Sequence, residues 1–309
     1  MAFVDLIYGR LLLVTGKGGT GKSSVSAALG RLAAAQGRKT LVVEIDAQNP
    51  SMKAIFGVEP SYDPVEVAPN LFIANLDWMA NLSDWVSRVL PAGRMVKMVL
   101  QNPLVQSFLQ VAPGNREVVA LSKIGWLTEE YDLVVVDLAA SGHALAMLEV
   151  PKTMVGLFPT GPIRKEGEKA SELLGSDSTH LVLVGLPEEM VVNETIETYE
   201  LLQSKVPDLS IDAILLNKTS VPSLTKDEVE LLEALSKETE NEVAQELLWA
   251  GRWEGELEAS TKSAKHRLKD KLKTKVISIP NLSHEGGPRQ LVHQIAAAMA
   301  RSTHNEQVS

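Results

Sequence analysis

The stretch LLLVTGKGGTGKSSVSAALG, residues 11–30, places a glycine-rich loop between an apolar run and an apparent helix. Residues 16–23 read GKGGTGKS and match the phosphate-loop pattern G-x-x-x-x-G-K-[S/T], after a strand and before a helix as the pattern requires. Glycines allow consecutive backbone N–H groups to turn inward around phosphates, and the start of the following helix adds a partial positive charge. The stretch therefore predicts a site for a nucleoside triphosphate.

The residues of this phosphate loop, residues 16–23, have separate expected roles. Lys22 is expected to reach the β- and γ-phosphates, and the hydroxyl group of Ser23 is expected to bind Mg²⁺. ATP and Mg²⁺ are therefore the expected cofactors. The other residues expected at the nucleotide are Gly16, Gly18, Gly19, Thr20, Gly21 and Ser24. The loop also contains a second lysine, Lys17, which the pattern does not require.

Short apolar runs with helical patterns between them predict the fold. Runs that are apolar at nearly every residue are typical of strands covered on both faces, and their alternation with helices indicates a parallel, doubly wound α/β sheet. We expect one P-loop ATPase domain over residues 1–309, with a helical insertion at about 78–128 and a helical segment at about 222–275. The predicted strands cover residues 11–14, 40–45, 71–76, 133–137, 181–185, 213–217 and 276–279.

An acidic residue ends one of these strands. Ligands of such sheets bind at the carboxyl ends of the strands. Asp137 follows the apolar residues LVVV at 133–136 and is expected to hold Mg²⁺, usually through a water molecule, opposite Ser23.

The composition excludes several classes of protein. The net charge of −9 argues against a general nucleic-acid binder, because no global positive field would attract a phosphate backbone. The chain contains no cysteine, which excludes disulfides, thiolate zinc sites and iron–sulfur clusters and fits a reducing cytoplasm. No signal peptide and no stretch of about 18 uninterrupted apolar residues is visible, so we expect a soluble, cytoplasmic protein.

Two motifs resemble those of one group of ATPases. The order G-K-G-G-x-G-K-S resembles the deviant Walker A loop of a superfamily of dimeric ATPases, and DLAASGH at residues 137–143 resembles the D-T-A-P-T-G-H switch of its arsenite-pump and tail-anchored-protein targeting members. This resemblance to the anion-transporting ATPase family implies that Lys17 crosses a dimer interface to the partner subunit's nucleotide. It also implies that the N–H group of Gly142 senses the γ-phosphate. We assign His143 no catalytic role, because helix-start packing or capping explains it.

The first switch of that family, close to D-P-A-H, is altered here to DAQNP at residues 46–50. Asp46 keeps the place of the acid that positions the attacking water, and a carboxylate there can accept a hydrogen bond from water. Ala47 replaces the proline that stiffens the turn, so we expect hydrolysis at a rate that this change could lower. Glu44 is a reserve candidate for the acid, although a satisfied structural carboxylate is the favoured interpretation.

The resemblance also extends to the contacts of the base. It places Asn217 and Pro280, each at the tip of a predicted strand, against the adenine. Asn and Pro also end strands for turn reasons alone, so these two positions are less specific than the loop. Further segments that resemble family signatures are residues 112–121, 161–167 and 181–202.

The expected function is that of an ATP-driven homodimeric switch that binds and releases a protein partner. The lack of cysteine excludes zinc held by cysteines and a metalloid held by thiolates. A partner with an apolar segment would suit the Met-rich helices expected at 78–128, although the same residues could pack against the chain's own core or the dimer partner. The residues concerned are Met79, Trp85, Met95, Met98 and Phe108.

Two alternatives stay open. One is a partitioning or positioning ATPase that acts on DNA or a membrane surface. Its support is the basic run at residues 262–275, which also reads as a solvated helix face. The other is a nucleotide-dependent binding module with weak turnover, because the first switch is altered.

Overall fold

The computed structural model describes residues 3–89, 114–220, 225–238, 241–282 and 285–308. Part of the expected helical insertion, with Met95, Met98 and Phe108, lies outside the described residues. Among the described residues, no helix has the length and apolarity needed to cross a bilayer.

An eight-stranded sheet forms the centre of the described part of the chain, with the strand order β3-β4-β2-β5-β1-β6-β7-β8. All neighbours pair in parallel except β3 and β4, which pair antiparallel. The strands are β1 (Leu11–Gly16), β2 (Thr40–Ile45), β3 (Val65–Ala68), β4 (Leu71–Leu76), β5 (Leu133–Asp137), β6 (Thr179–Gly185), β7 (Ile211–Thr219) and β8 (Lys275–Pro280).

This architecture confirms the predicted doubly wound α/β fold, and each of the seven predicted strands is present. The one strand that the pattern did not predict is β3, a four-residue edge strand with a bulge between Glu66 and Ala68. Its residues are only partly buried or exposed, so they form no apolar run that would mark a strand covered on both faces.

Helices cover both faces of the sheet. They are α1 (Phe3–Tyr8), α2 (Lys22–Ala35), α3 (Ser51–Phe56), α4 (Trp78–Val89), α5 (Asn115–Glu130), α6 (Ser141–Leu157), α7 (Pro162–Leu174), α8 (Glu189–Lys205), α9 (Lys226–Glu238), α10 (Glu242–Lys271) and α11 (Gly287–Val308). Because successive side chains of a strand point to opposite faces, Leu11 and Leu13 of β1 join the core under α5, α6 and α8, whereas Leu12 and Val14 join the core under α2, α3 and α11.

The described ends of the helical insertion pack on each other. Trp78, Leu82 and Trp85 of α4 form a small separate core with Val119 of α5, and the indole N–H of Trp85 donates to the Ser122 hydroxyl at 3.1 Å. These three apolar side chains of α4 are therefore buried within this chain. The division into one domain with two helical segments stays a prediction.

Candidate nucleotide-binding site

The phosphate loop connects β1 to α2, and its backbone requires glycine at two positions. Gly16 has φ +145°, and a Cβ there would lie 2.2 Å from the Val184 carbonyl oxygen of the neighbouring strand. Gly21 is the N-cap of α2 with φ +90°, and a Cβ there would lie 2.6 Å from Nδ2 of Asn217. Any larger residue at either position would meet a rarely populated backbone conformation and a steric clash.

The loop is held together by hydrogen bonds to the Lys17 carbonyl. Nζ of Lys22 donates to this oxygen at 3.1 Å, and the Thr20 hydroxyl donates to it at 2.9 Å. Burial lowers the pKa of Lys22, and the nearby negative charge of Asp137 opposes that shift. Lys22 thus lies inside the loop, where phosphate oxygens could replace the carbonyl as its partner.

Asp137 ends β5 next to the phosphate loop, because β5 is the parallel neighbour of β1 and pairs Asp137 with Val14. The Ser26 hydroxyl donates to its Oδ1 at 3.3 Å, and the Ser23 side chain lies near the same carboxylate. Burial raises the pKa of Asp137, while the bonds from Ser23 and Ser26 and the charge of Lys22 oppose the rise. A buried carboxylate is stabilised by a cation.

The donor set fits Mg²⁺. A serine hydroxyl and a carboxylate, those of Ser23 and Asp137, lie near each other, and Mg²⁺ prefers oxygen ligands from one or two protein groups together with phosphates and water. No cluster of three or more His, Cys, Asp or Glu side chains that could hold a metal occurs in the described part of the chain. The assignment of Ser23 and Asp137 to the metal stays a prediction.

Lys17 forms an ion pair with Glu194 of α8, with 2.8 Å between Nζ and Oε2. The side chains are 35% and 36% exposed, so the pair lies at the surface of this chain. Sequence analysis assigned no role to Glu194, although it lies in the 181–202 segment that resembles a family signature. The crossing of Lys17 to a partner subunit stays a prediction.

The first switch begins with a residue in an unusual conformation. Asp46 has φ +49°, a left-handed conformation that is rare for non-glycine residues, and its N–H donates to the Leu76 carbonyl at 3.1 Å. The side chain of Asn75 fixes the next residue from both sides: Oδ1 accepts from the Ala47 N–H at 3.0 Å, and Nδ2 donates to the Ala47 carbonyl at 2.9 Å. We call these two bonds the Asn75 clamp.

The clamp gives a physical reason for the altered motif. Proline has no N–H group, so a proline at position 47 could not donate to Asn75. Here the Asn75 side chain on β4 fixes the turn that a proline stiffens in the family pattern. The effect of Ala47 on the rate of hydrolysis stays a prediction.

Two acidic residues of this region have different surroundings. The carboxylate of Asp46 is 41% exposed and pairs with Arg116 of α5 at 2.8 Å. Glu44 is buried and accepts from the N–H groups of Ser51 (2.7 Å) and Met52 (3.2 Å) at the start of α3. Burial raises the pKa of Glu44, and these two bonds oppose the rise. The contacts of Glu44 are those of a structural acid, whereas Asp46 is accessible to water.

The second switch follows β5 and begins α6. The Thr15 hydroxyl of β1 donates to the Ala139 carbonyl at 3.0 Å and ties this segment to the phosphate loop strand. Gly142 is exposed, and a Cβ at that position would meet no atom within 4 Å. Local packing therefore does not require a glycine at this position, and the role of Gly142 at the γ-phosphate stays a prediction.

Residues expected around the adenine come together in one pocket of about 130 Å³. Gly21, Ser24, Asn217 and Pro280 line it together with apolar side chains of α11. Asn217 also holds the loop, because its Nδ2 donates to the Thr20 carbonyl at 2.8 Å and its Oδ1 accepts from the Lys218 N–H at 2.9 Å. One N–H and one lone pair of this amide remain for a base.

The phosphate loop requires glycine, follows the central strand of a parallel sheet and lies beside an acidic residue at the tip of the adjacent strand. These features define the protein as a P-loop nucleoside triphosphatase. Residues 9–160 match the sequence model of a family described as anion-transporting ATPase. The chain belongs to that family and is an ATPase.

Similar proteins agree with this assignment. The chain is 31% identical over 266 residues to ATPase BagA of Mycobacterium tuberculosis, which covers 78% of this chain and 73% of that protein. It is 32% identical over 181 residues to a protein of Aquifex aeolicus named "Putative arsenical pump-driving ATPase 2", which covers 55% of this chain and 59% of that protein.

Proposed function

We propose that the protein is a homodimeric switch in which hydrolysis of Mg²⁺-ATP controls the binding and release of a protein partner. The observation that carries the proposal is the half-exposed ion pair between Lys17 and Glu194. Such a pair contributes only about 0–1 kcal/mol, so a phosphate of a second subunit could replace Glu194 at little cost. An ammonium group about 4 Å from a phosphate oxygen gains about 4 kcal/mol at an effective dielectric constant of 20.

The site residues support hydrolysis. The loop N–H groups and Lys22 would bind the phosphates, and Mg²⁺ held by Ser23 and Asp137 would neutralise charge on the phosphate oxygens. Asp46 would orient the attacking water, because its carboxylate is accessible and pairs with Arg116, while the Asn75 clamp holds the backbone of the next residue. Lys17 would stabilise negative charge that develops on the transferred phosphoryl group.

The contacts of Asp46 support a path from the nucleotide to the helices. Its side chain pairs with Arg116 on α5, and its N–H group is bonded to Leu76, two residues before α4 begins at Trp78. A displacement of Asp46 on loss of the γ-phosphate would therefore act on α5 directly and on the start of α4 through β4.

The exposed apolar side chains indicate where a partner with an apolar segment could bind. The indole rings of Trp249 and Trp253 on α10 are stacked, with 5.9 Å between their centroids, and both are more than half exposed. Apolar patches of this kind are typical of interaction surfaces. By contrast, Trp78 and Trp85 of α4 are buried. Large apolar side chains that are also exposed in α9 and α10 include Leu231, Leu235, Val243 and Leu257.

The basic run at 262–275 gives less support to the alternative on DNA or membranes. Lys262 pairs with Glu258, and Arg267 donates to Asn193 of α8 at 2.6 Å. His266 lies 3.1 Å from Asp270. Contacts within the chain thus occupy the cations of Lys262 and Arg267, which lowers the positive field that a phosphate surface would meet.

The test combines turnover with oligomeric state. In analytical ultracentrifugation with a non-hydrolysable ATP analogue, we expect a dimer. We expect Lys17→Ala to lower kcat by about 10³-fold or more, as removal of an arginine finger does, and Asp46→Asn to lower it by about 10²- to 10⁴-fold. Lys205→Ala, which breaks an exposed ion pair elsewhere on α8, is the matched control and should keep wild-type turnover. A strict monomer with ATP bound would rule the switch out.

The same assay separates the alternatives. A wild-type protein that turns over no faster than Lys22→Ala would establish the nucleotide-dependent binding module. Stimulation of turnover by DNA or by liposomes would favour the positioning class. Affinity purification with Asp46→Asn loaded with ATP should retain the protein partner, and Trp253→Ala should weaken that retention.

A further inference from the structure

The guanidinium group of Arg116 joins the first switch to the helices α4 and α5. Its Nη1 donates to Oδ2 of Asp46 at 2.8 Å, although the two residues lie 70 positions apart in the sequence. Its carbon Cζ also lies 5.4 Å from the centre of the Trp78 ring, which is within the range of a cation–π contact. Arg116 therefore contacts both Asp46 and the residue at which α4 begins.

The fold holds both partners of this ion pair. Asp46 has a left-handed backbone, its N–H group is bonded to the Leu76 carbonyl, and the Asn75 clamp fixes the residue that follows. The Trp78 ring under the guanidinium group is 5% exposed and belongs to the small core that α4 forms with α5. Surface ion pairs are weak partly because two long, mobile side chains must be ordered. Here a short side chain on a fixed backbone meets an arginine that rests on a buried ring, so less entropy is lost.

The ion pair leaves one side of the Asp46 carboxylate open. Arg116 occupies Oδ2, whereas the other oxygen, Oδ1, has no hydrogen-bond partner among the described residues. Asp46 and Arg116 both line a cavity of about 230 Å³, together with Leu138 and Ala139 of the second switch. A carboxylate that is held at one oxygen and open at the other can accept a hydrogen bond from water in a defined direction, which is what the positioning of a nucleophile requires.

The charges around this cavity give Arg116 a particular importance. It is the only lysine or arginine among the described residues that line the cavity, whereas two of them, Asp46 and Glu117, are carboxylates. Like charges repel, and the repulsion is stronger near a protein than in bulk water. Without Arg116 no strong cation of the described lining would offset this repulsion, so Asp46 would be displaced more easily.

We propose that Arg116 is a positioning residue for ATP hydrolysis, which holds Asp46 so that the open carboxylate oxygen binds the attacking water. Arg116 acts through Asp46 in this role and not on the nucleotide. The inference rests on the proposed function, because Asp46 must itself take part in turnover. It predicts a loss of kcat without a loss of ATP binding, since the phosphate loop holds the nucleotide independently of Arg116.

Steady-state phosphate release by Arg116→Ala measures this role. Because a misplacement of about 1 Å can cost about 10²-fold in rate, we expect kcat to fall by about 10- to 100-fold, with KM for ATP within about twofold of wild type. Arg116→Met keeps an unbranched side chain to pack on the Trp78 ring but lacks the guanidinium donor. We expect the same loss from it, and it replaces Arg116→Ala if that variant fails to fold.

Arg88 provides a matched control, because it makes the same two kinds of contact elsewhere. It pairs with Asp84 at 3.0 Å and lies over the Trp126 ring, 4.5 Å from its centre. Its side chain is 48% exposed, against 46% for Arg116, and it is not among the residues that line the cavity. We therefore expect Arg88→Ala to keep the wild-type kcat.

A double-mutant cycle with Asp46→Asn separates positioning from a general structural effect. Single-turnover phosphate release, with enzyme in excess over radiolabelled ATP, measures these slow variants. If Arg116 acts through Asp46, Arg116→Ala should change the rate by less than about twofold in the Asp46→Asn background. A loss by the same factor in both backgrounds would overturn the inference, as would a folded Arg116→Ala protein with kcat within about twofold of wild type.

The inference and the proposed function can fail separately in this experiment. Wild-type turnover by Asp46→Asn would overturn the proposed role of Asp46, and the role of Arg116 with it. A slow Asp46→Asn protein beside a folded Arg116→Ala protein with wild-type turnover would remove the role of Arg116 alone.

Discussion

The Asn75 clamp gives a quantitative test of how the first switch is held. Asn75→Ala removes two hydrogen bonds to Ala47, of 3.0 and 2.9 Å. Neutral hydrogen bonds contribute about 0.5–1.5 kcal/mol each, so the loss is about 1–3 kcal/mol. If this energy serves to position Asp46, kcat/KM falls by about 5- to 150-fold, because 1.36 kcal/mol corresponds to a factor of ten. KM for ATP should change little, since the clamp does not touch the phosphate loop.

Phosphate release under steady-state conditions measures this effect, and urea unfolding followed by circular dichroism measures stability in parallel. Ala47→Pro provides the partner variant, because it removes the bond donated by the Ala47 N–H group and leaves the Ala47 carbonyl as an acceptor. In the Asn75→Ala background, that bond is already absent, so Ala47→Pro should add less to the loss of kcat/KM than it causes alone. Gln203→Ala is the surface control. A folded Asn75→Ala protein with kcat/KM within twofold of wild type would refute the reasoning.

Three further predictions concern the phosphate loop and its neighbours. Burial raises the pKa of Asp137 above its ordinary value of 3.8, so the ionised carboxylate destabilises the nucleotide-free fold as pH rises through the raised pKa. Asp137→Asn should therefore raise the melting temperature at pH 8, with a gain that fades toward pH 4. A lower melting temperature of this variant at pH 8 would contradict the prediction. Gly21→Ala should lower the free energy of unfolding by about 1–3 kcal/mol because of its left-handed backbone, and should weaken binding of a fluorescent ATP analogue by displacing Asn217; unchanged binding would show that this contact is dispensable. Glu194→Gln should change the free energy of unfolding by less than about 1 kcal/mol, since its pair with Lys17 is exposed; a loss above about 2 kcal/mol in urea titration would reveal a structural role instead.

Local sequence patterns predicted the sheet well, because a strand that is buried on both faces is apolar at nearly every residue. The residues of β5, LVVVD, are apolar up to the carboxylate at the tip, and the same signal located β1 and β2. The edge strand β3 lacks such an apolar run, because it pairs with one strand and its residues are partly exposed. A four-residue strand with a bulge offers too little periodicity for a prediction.

Contacts between segments that are far apart in the sequence limited how much of the site could be predicted. Arg116 lies 70 residues from Asp46 and Asn217 lies 197 residues from Thr20, and these hydrogen bonds depend on how strands and helices are placed in space. Sequence analysis assigned Asn217 to the adenine from a resemblance, and did not predict that its amide also holds the loop. The residue type at a strand tip indicated which residues lie near the nucleotide. The hydrogen-bond partners of these residues could be identified only from the fold.

The position of α11 has a consequence for synthesis of the protein. Its side chains Val292, Ile295 and Met299 complete the core on which α2 rests, and Ile295 also lines the pocket that contains Asn217 and Pro280. The ribosome adds about 5–20 residues per second, so roughly 14 to 55 s separate the synthesis of Ser23 from that of Met299. During this interval the nascent chain carries a phosphate loop without its supporting helix. A nucleotide site that needs α11 for its support is therefore completed only after residue 299 has been synthesised.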